Sequence, residues 1–275
     1  MFIEKYKKDV IYMSFMEQVK KRWVENNTLV CVGLDPDVEK IPAKYRELEN
    51  PLFAFNKDII DATAQYVCCY KPQIAYYNGV GLERDLELTI NYIHESYPGI
   101  PVILDAKRGD IGSTAQMYVK EAFTRYKADS VTVNPYMGGD TLEPFLEQKD
   151  KATIILCRTS NPGAVDLQDL EIDGKPLYMH VASKATNSWN RNKNILLVVG
   201  ATYPEELKKI REVIGDIPFL TPGIGAQGGD VEKAVKAGTT PDGTGMIINS
   251  SRGIIYAEDP SIAAKSLRDE INLYR

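Results

Sequence analysis

Asp105, Lys107 and Asp110 follow directly on the apolar run Val102-Ile103-Leu104. A carboxylate, an ammonium and a second carboxylate at this spacing are equipped to hold charge and to move a proton. In an extended strand residues i and i+2 project to the same side, so Asp105 and Lys107 are expected to share one space. Gly109 then lets the chain turn and crowd Asp110 against them. Charges gathered at a strand end are costly unless they meet a ligand or one another. A solvated salt-bridge cluster in a charged turn is the alternative, and the remainder of the chain must decide between the two.

The elements that would position these residues repeat along the chain. Continuous apolar runs at 29–34, 67–71, 102–105, 130–133, 153–157, 195–199, 218–221 and 246–248 suit strands buried on both faces. An amphipathic segment at 15–24 precedes them, and helical patterns cover 54–66, 81–96, 113–126, 141–147, 176–190, 204–214, 230–237 and 260–272. Ser113, and Pro204 ahead of Glu205-Glu206, read as helix starts. Eight strand-helix units predict a single-domain α/β protein, a closed (β/α)₈ TIM barrel over 1–275 with an N-terminal helical extension at about 1–27. A doubly wound open sheet is the second choice. The longest irregular stretch, 160–175, lies after strand five, where a long loop is often a lid.

The bulk properties exclude several classes. The 275 residues match one α/β barrel, and with 33 basic and 38 acidic residues the net charge is −5, without a basic cluster suited to nucleic acid. A charged N-terminus and the lack of any apolar run near ~20 residues argue for a cytoplasmic chain, neither secreted nor membrane-bound. Cys31, Cys68, Cys69 and Cys157 form no Cys-x-x-Cys pair and are expected to be reduced and buried. His94 and His180 have no second ligand at i+3 or i+4, which argues against a structural metal. Arg108-Gly109-Asp110 and Asn249-Ser250-Ser251 imitate adhesion and glycosylation motifs, both of which need an extracellular chain.

Strand seven leads into Thr221-Pro222-Gly223-Ile224-Gly225-Ala226-Gln227-Gly228-Gly229-Asp230, where closely spaced glycines permit close backbone approach to a ligand at the start of the next helix. Strand eight ends in Asn249-Ser250-Ser251-Arg252-Gly253, and arginine presents a planar fork of donors to a phosphate. Barrels commonly bind phosphate between these two loops. A phosphorylated small molecule is the expected substrate.

With these residues in view, the chain resembles the orotidine 5′-phosphate decarboxylases, in particular their longer bacterial subgroup. The resemblance runs over nearly the whole length and rests on Asp105-Ala106-Lys107-Arg108-Gly109-Asp110-Ile111, the 221–230 segment, Ser160-Asn161-Pro162-Gly163-Ala164 and Gly33-Leu34-Asp35-Pro36. It implies that Lys71, Asp105, Lys107 and Asp110 form a catalytic lysine and aspartate network around the scissile carboxylate. Among the substrate-binding positions it implies, Asp35 would hold a ribose hydroxyl, Ser160 the pyrimidine, and Gln227 and Arg252 the phosphate, with Pro222 and Ser251 beside them. Asp110, Ile111 and Thr114 would reach into the neighbouring subunit's site, giving a homodimer. The stretch before Thr28 and the segment 166–175 exceed the shortest family members.

The implied reaction converts orotidine 5′-phosphate to uridine 5′-monophosphate and carbon dioxide in pyrimidine biosynthesis, without a cofactor or metal. Lys107 would stabilise the C6 carbanion and then protonate it. A magnesium-dependent sugar-phosphate decarboxylase or aldolase shares the Asp-x-Lys-x-x-Asp pattern, but such relatives carry a glutamate near the end of strand two, where this chain has Lys71. A noncatalytic nucleotide-binding barrel is the rival of a different kind.

Overall fold

The computed structural model describes residues 13–224 and 230–275. Eight parallel strands, β1 (Val30–Leu34), β2 (Cys69–Pro72), β3 (Ile103–Arg108), β4 (Ser130–Val133), β5 (Ala152–Arg158), β6 (Ile195–Val199), β7 (Phe219–Pro222) and β8 (Met246–Ser250), form the sheet. Its order is β2-β1-β8-β7-β6-β5-β4-β3. The two ends meet through isolated bridges, Tyr70 with Val102 and Gln73 with Asp105. Tyr70 N donates to Pro101 O at 3.1 Å and Ile74 N to Asp105 O at 3.2 Å across this gap. The barrel expected from the sequence is therefore present, closed by a short seam in place of a full ladder. Every residue of β1, β4 and β6 is buried, as continuous apolar runs require when helices cover one face and the barrel interior the other.

Helix α1 (Phe15–Glu25) precedes the barrel, and α2 (Pro51–Thr63), α3 (Glu83–Ser96), α4 (Gly112–Lys120), α5 (Gly139–Leu146), α6 (Leu177–Lys184), α7 (Pro204–Ile214), α8 (Val231–Gly238) and α9 (Pro260–Asn272) surround it. Pro204 does open α7, and Asp230 caps α8 by accepting from Lys233 N at 3.0 Å. Ser113 is not a cap: α4 starts one residue before it, at Gly112, whose left-handed φ of 50° lets the chain leave extended Ile111 directly into the helix. The 160–175 stretch is more ordered than expected. It contains a short 3₁₀ turn, Pro162–Asp166, and a hairpin of Glu171–Ile172 with Lys175–Pro176. Asp173 and Gly174, both at positive φ, make its two-residue turn, an Asp-Gly hairpin signal present in the sequence.

The N-terminal mouth is built for stability. Helix α1 begins with a capping box between Ser14 and Glu17 and buries Phe15, Val19 and Trp23. Phe15 N donates to Asp150 O just before β5, while the Arg22 guanidinium donates to Ala64 O and Val67 O just before β2, so the helix spans the barrel floor. Beside it, buried Asp129 accepts from Val102 N at 2.9 Å, lies 2.9 Å from His94 Nε2 and 3.3 Å from Lys151 Nζ. All four cysteines are buried free thiols, and no helix among the described residues is long and apolar enough to cross a membrane.

Burial opposes ionisation of Asp129, but His94, Lys151 and the Val102 amide outweigh it and hold its pKa below the usual carboxylate value. A lowered folded pKa contributes stability above the unfolded value of ~3.9 and loses it as pH falls through the folded one. Asp129→Asn is accordingly expected to cost about 1–3 kcal/mol at pH 7, a penalty that shrinks in acid; urea unfolding at pH 7 and pH 3 checks this.

Candidate active site

The seam between β2 and β3 carries the charges. Lys71, at the end of β2 and buried, donates from Nζ to Asp105 Oδ2 at 2.9 Å and lies 3.9 Å from Asp35 Oδ1. The other oxygen of Asp105 accepts from Lys107 Nζ at 2.7 Å and from Thr132 Oγ1 at 2.9 Å. Burial works against charge on both Lys71 and Asp105. For Asp105 the two ammoniums, Lys71 first, win and hold the carboxyl well below its ordinary range. For Lys71 the attraction of Asp105 and then Asp35 wins and raises its pKa above that of a free lysine. The two groups are therefore ionised together across the neutral range.

Lys107 reaches Asp105 by a route that strand alternation does not describe. The β3-β4 register shifts between Leu104 and Arg108, and Lys107 sits at φ 47°, a left-handed conformation that is uncommon for a residue bearing a side chain. The amides of Ala106 and Lys107 both donate to Thr132 Oγ1 at 2.9 Å. This bulge turns Lys107 over the barrel mouth, with its side chain 48% exposed on the side a ligand would enter. Arg108 points elsewhere, into a bidentate pair with Glu121 at 2.8 and 3.0 Å.

Asp110 does not join the cluster within the chain, contrary to the expectation of two carboxylates flanking Lys107. Gly109 packs so closely that a Cβ there would lie 3.2 Å from Asn134 O, and the turn carries Asp110 outward, where its Oδ1 accepts from Ile111 N at 2.7 Å. Ile111 and Thr114 are likewise exposed, away from the cavity. The second carboxylate near the lysines is Asp35, just beyond β1.

Asp35, Lys71, Asp105, Lys107, Ser160, Pro222, Ser251 and Arg252 all line one cavity of about 640 Å³ at the C-terminal mouth. Ser251 Oγ donates to Asp35 Oδ2 at 2.7 Å, a contact allowed by Gly33, where a Cβ would lie 1.8 Å from that hydroxyl. Ser160 is seated against Gly200, at which a Cβ would come within 2.8 Å of the serine Cβ. Behind it, fully buried Arg158 lies 3.2 Å from Asp169 Oδ1 and 4.2 Å from the Tyr203 ring centroid, so the base of the 160–175 stretch is pinned. Gly223 takes φ 100° after β7, and Arg252 begins a short helix after β8. Gln227 lies outside the described residues.

Several lining residues are absent from the sequence-based set. Thr132 and Asn249 are polar positions inside apolar strands, a signal that an inward-facing group should raise; Asn249 Nδ2 lies 3.4 Å from Ser251 Oγ. Gln168 donates to Thr159 Oγ1 and accepts from Thr159 N, both at 2.8 Å, closing the loop on itself. Nothing in its spacing announces this. Leu156, Val198 and Leu220 give the cavity an apolar floor.

A parallel barrel with a lysine and aspartate cluster, a pinned loop after β5 and an arginine after β8 defines a class of C-terminal-mouth enzymes acting on small phosphorylated molecules. The chain belongs to the Orotidine 5′-phosphate decarboxylase / HUMPS family, whose model matches residues 28–267. It is similar to the orotidine 5′-phosphate decarboxylase of Cellvibrio japonicus, at 58% identity over 96% of this chain and 100% of the relative. It is also similar to that of Ralstonia pickettii, at 55% over 96% and 100%. The solved Leishmania donovani OMP decarboxylase superposes with a TM-score of 0.85 at 40% identity, covering 95% of this chain and 98% of that one.

Lys71→Met leaves Asp35 and Asp105 facing one another with one ammonium fewer. It is expected to cost about 3 kcal/mol in urea unfolding at pH 7. The folded pKa of Asp105 is lowered, so the pair's contribution fades as pH falls below ~3.9; that of Lys71 is raised, so it fades only as pH climbs above ~10.4. Between those limits the difference from the native protein should stay flat.

Proposed function

We propose that this chain decarboxylates orotidine 5′-phosphate to uridine 5′-monophosphate, as the members of its family named above do, in the pyrimidine pathway of the cytoplasm. The observation that carries the proposal is the Lys107 ammonium, held 2.7 Å from buried Asp105 at the rim of a cavity that also contains Ser160 and Arg252. Asp35 would take the ribose, Ser160 the pyrimidine, and Arg252 with Gln227 and the Pro222-Gly223 turn the phosphate.

Cleavage of the C6 carboxylate leaves an electron pair in the ring plane, where the π system cannot spread it. Lys107 stands beside that pair, stabilises it and then transfers its proton to C6. Asp105, itself held by Lys71, keeps the amine positioned. Asp105 next to the departing carboxylate also raises the energy of the bound substrate. A charge pair at 4 Å and an effective dielectric of 20 is worth ~4 kcal/mol, roughly a thousandfold in rate. The remaining acceleration is assigned to phosphate and base contacts that close the cavity and exclude water.

We assign Asp110, Ile111 and Thr114 to the neighbouring subunit's cavity in a homodimer. Asp110 leaves its own cluster, and exposed Ile111, Met117, Tyr136 and Met137 supply apolar surface near the mouths of β3 and β4.

Loss of orotidine 5′-phosphate absorbance is expected with purified protein in excess chelator, and Lys107→Ala should lower kcat at least about a thousandfold. Turnover that depends on magnesium would favour the sugar-phosphate enzymes, and tight product binding without turnover a noncatalytic barrel. Mixing inactive Lys107→Ala and Asp110→Ala subunits should restore activity through one intact site per mixed dimer. No recovery despite verified subunit exchange would place Asp110 outside the partner's site.

A further inference from the structure

We propose that Thr132 is a positioning residue for Lys107, its single hydroxyl fixing both the backbone bulge and the carboxylate between which the ammonium is held. The proposal rests on the role assigned to Lys107 above. A threonine hydroxyl can accept two hydrogen bonds and donate one. Thr132 uses all three: it accepts from Ala106 N and Lys107 N, each at 2.9 Å, and donates to Asp105 Oδ1 at 2.9 Å. Because both lone pairs are taken by amides, its proton has one direction left, toward an oxygen that must be an acceptor. The hydroxyl thus requires an acceptor at that position and aims the same oxygen that receives Lys107 Nζ at 2.7 Å.

The arrangement is specific to this position. Ser130, Thr153 and Thr221 are also buried hydroxyl residues of the barrel strands, and their oxygens find no hydrogen-bond partner among the described residues. Thr132 is fully buried, lines the cavity, and stands opposite the break in the β3-β4 register, where Lys107 takes its left-handed φ of 47°. A regular strand would send the amides of residues 106 and 107 to opposite sides, one to a carbonyl of each neighbouring strand. Here a side chain replaces those carbonyls, and the freedom gained turns Lys107 over the mouth. Valine has the same shape but leaves two amides unpaired, so the bulge relaxes and the amine loses its station.

The test is steady-state kinetics on Thr132→Val and Thr132→Ser, with affinity for uridine 5′-monophosphate measured beside it. Thr132→Val is expected to lower kcat about tenfold to a hundredfold, with KM and product affinity within about threefold of native. Thr132→Ser, which keeps the hydroxyl, should restore kcat to within about threefold. Unchanged kcat in the valine variant, parallel loss of product affinity, or failure of serine to rescue would each overturn the proposal. Should the valine variant not fold, Thr132→Ala is read in its place; failure of both to fold would assign Thr132 to stability alone and also overturn it. Lys107→Ala separates the two levels: if it retains turnover, the role of Lys107 itself falls, whereas its inactivity with an unaffected valine variant removes only Thr132.

Discussion

One carboxylate shared between two ammoniums organises the mouth of this barrel. Asp105 gives one oxygen to Lys71 and the other to Lys107. Lys71 is buried there, and burial alone would favour its neutral amine. The attraction outweighs desolvation for both Asp105 and Lys71, and the shifts are opposite in sign, as expected when one contact stabilises both ions. Asp35 adds a second carboxylate at 3.9 Å from Lys71, so the cluster of two lysines and two aspartates is neutral as a whole. A substrate bearing a carboxylate would therefore enter a site whose charges are already matched, and its own charge would be the surplus.

Structural and chemical demands are divided between the two ends of the barrel. At the N-terminal end, α1, Arg22 and Asp129 satisfy backbone groups and bury apolar surface. At the C-terminal end, the β3-β4 register break and the pinned 160–175 stretch depart from regular geometry. Both departures adjoin the cavity, and each is held by a buried polar side chain, Thr132 in one case and Arg158 in the other. Local irregularity persists here because the surrounding strands determine it from several sides.

Much of this was legible in the sequence because each barrel strand is a continuous apolar run and each helix an amphipathic one. Periodicity together with run length separates those two patterns. The pairing of Asp105 with Lys107 was legible as well, although the expected strand alternation is replaced by a bulge that no local residue announces. What stayed hidden depends on contacts between distant segments. Thr132 lies 27 residues from Asp105 in the chain, and Gln168 closes its loop through hydrogen bonds that composition does not encode. Asp110 stands apart for a related reason: proximity in sequence is not proximity in space, and a turn packed on Asn134 carries it away from its own chain's cluster. Its neighbours Ile111 and Thr114 are exposed.

The seam between β2 and β3 has a further meaning. Seven of the eight joints of the barrel are ladders of backbone hydrogen bonds, whereas the eighth is bridged at isolated points and braced by the Lys71-Asp105 ion pair. The hoop is thus fastened at its thinnest place by the same charges that face the ligand. A fastening made of ions answers to whatever charge is set beside it, so an anion arriving in the cavity would pull on the clasp of the barrel, and the tightness of the scaffold and the occupancy of its mouth would be coupled without any intervening path.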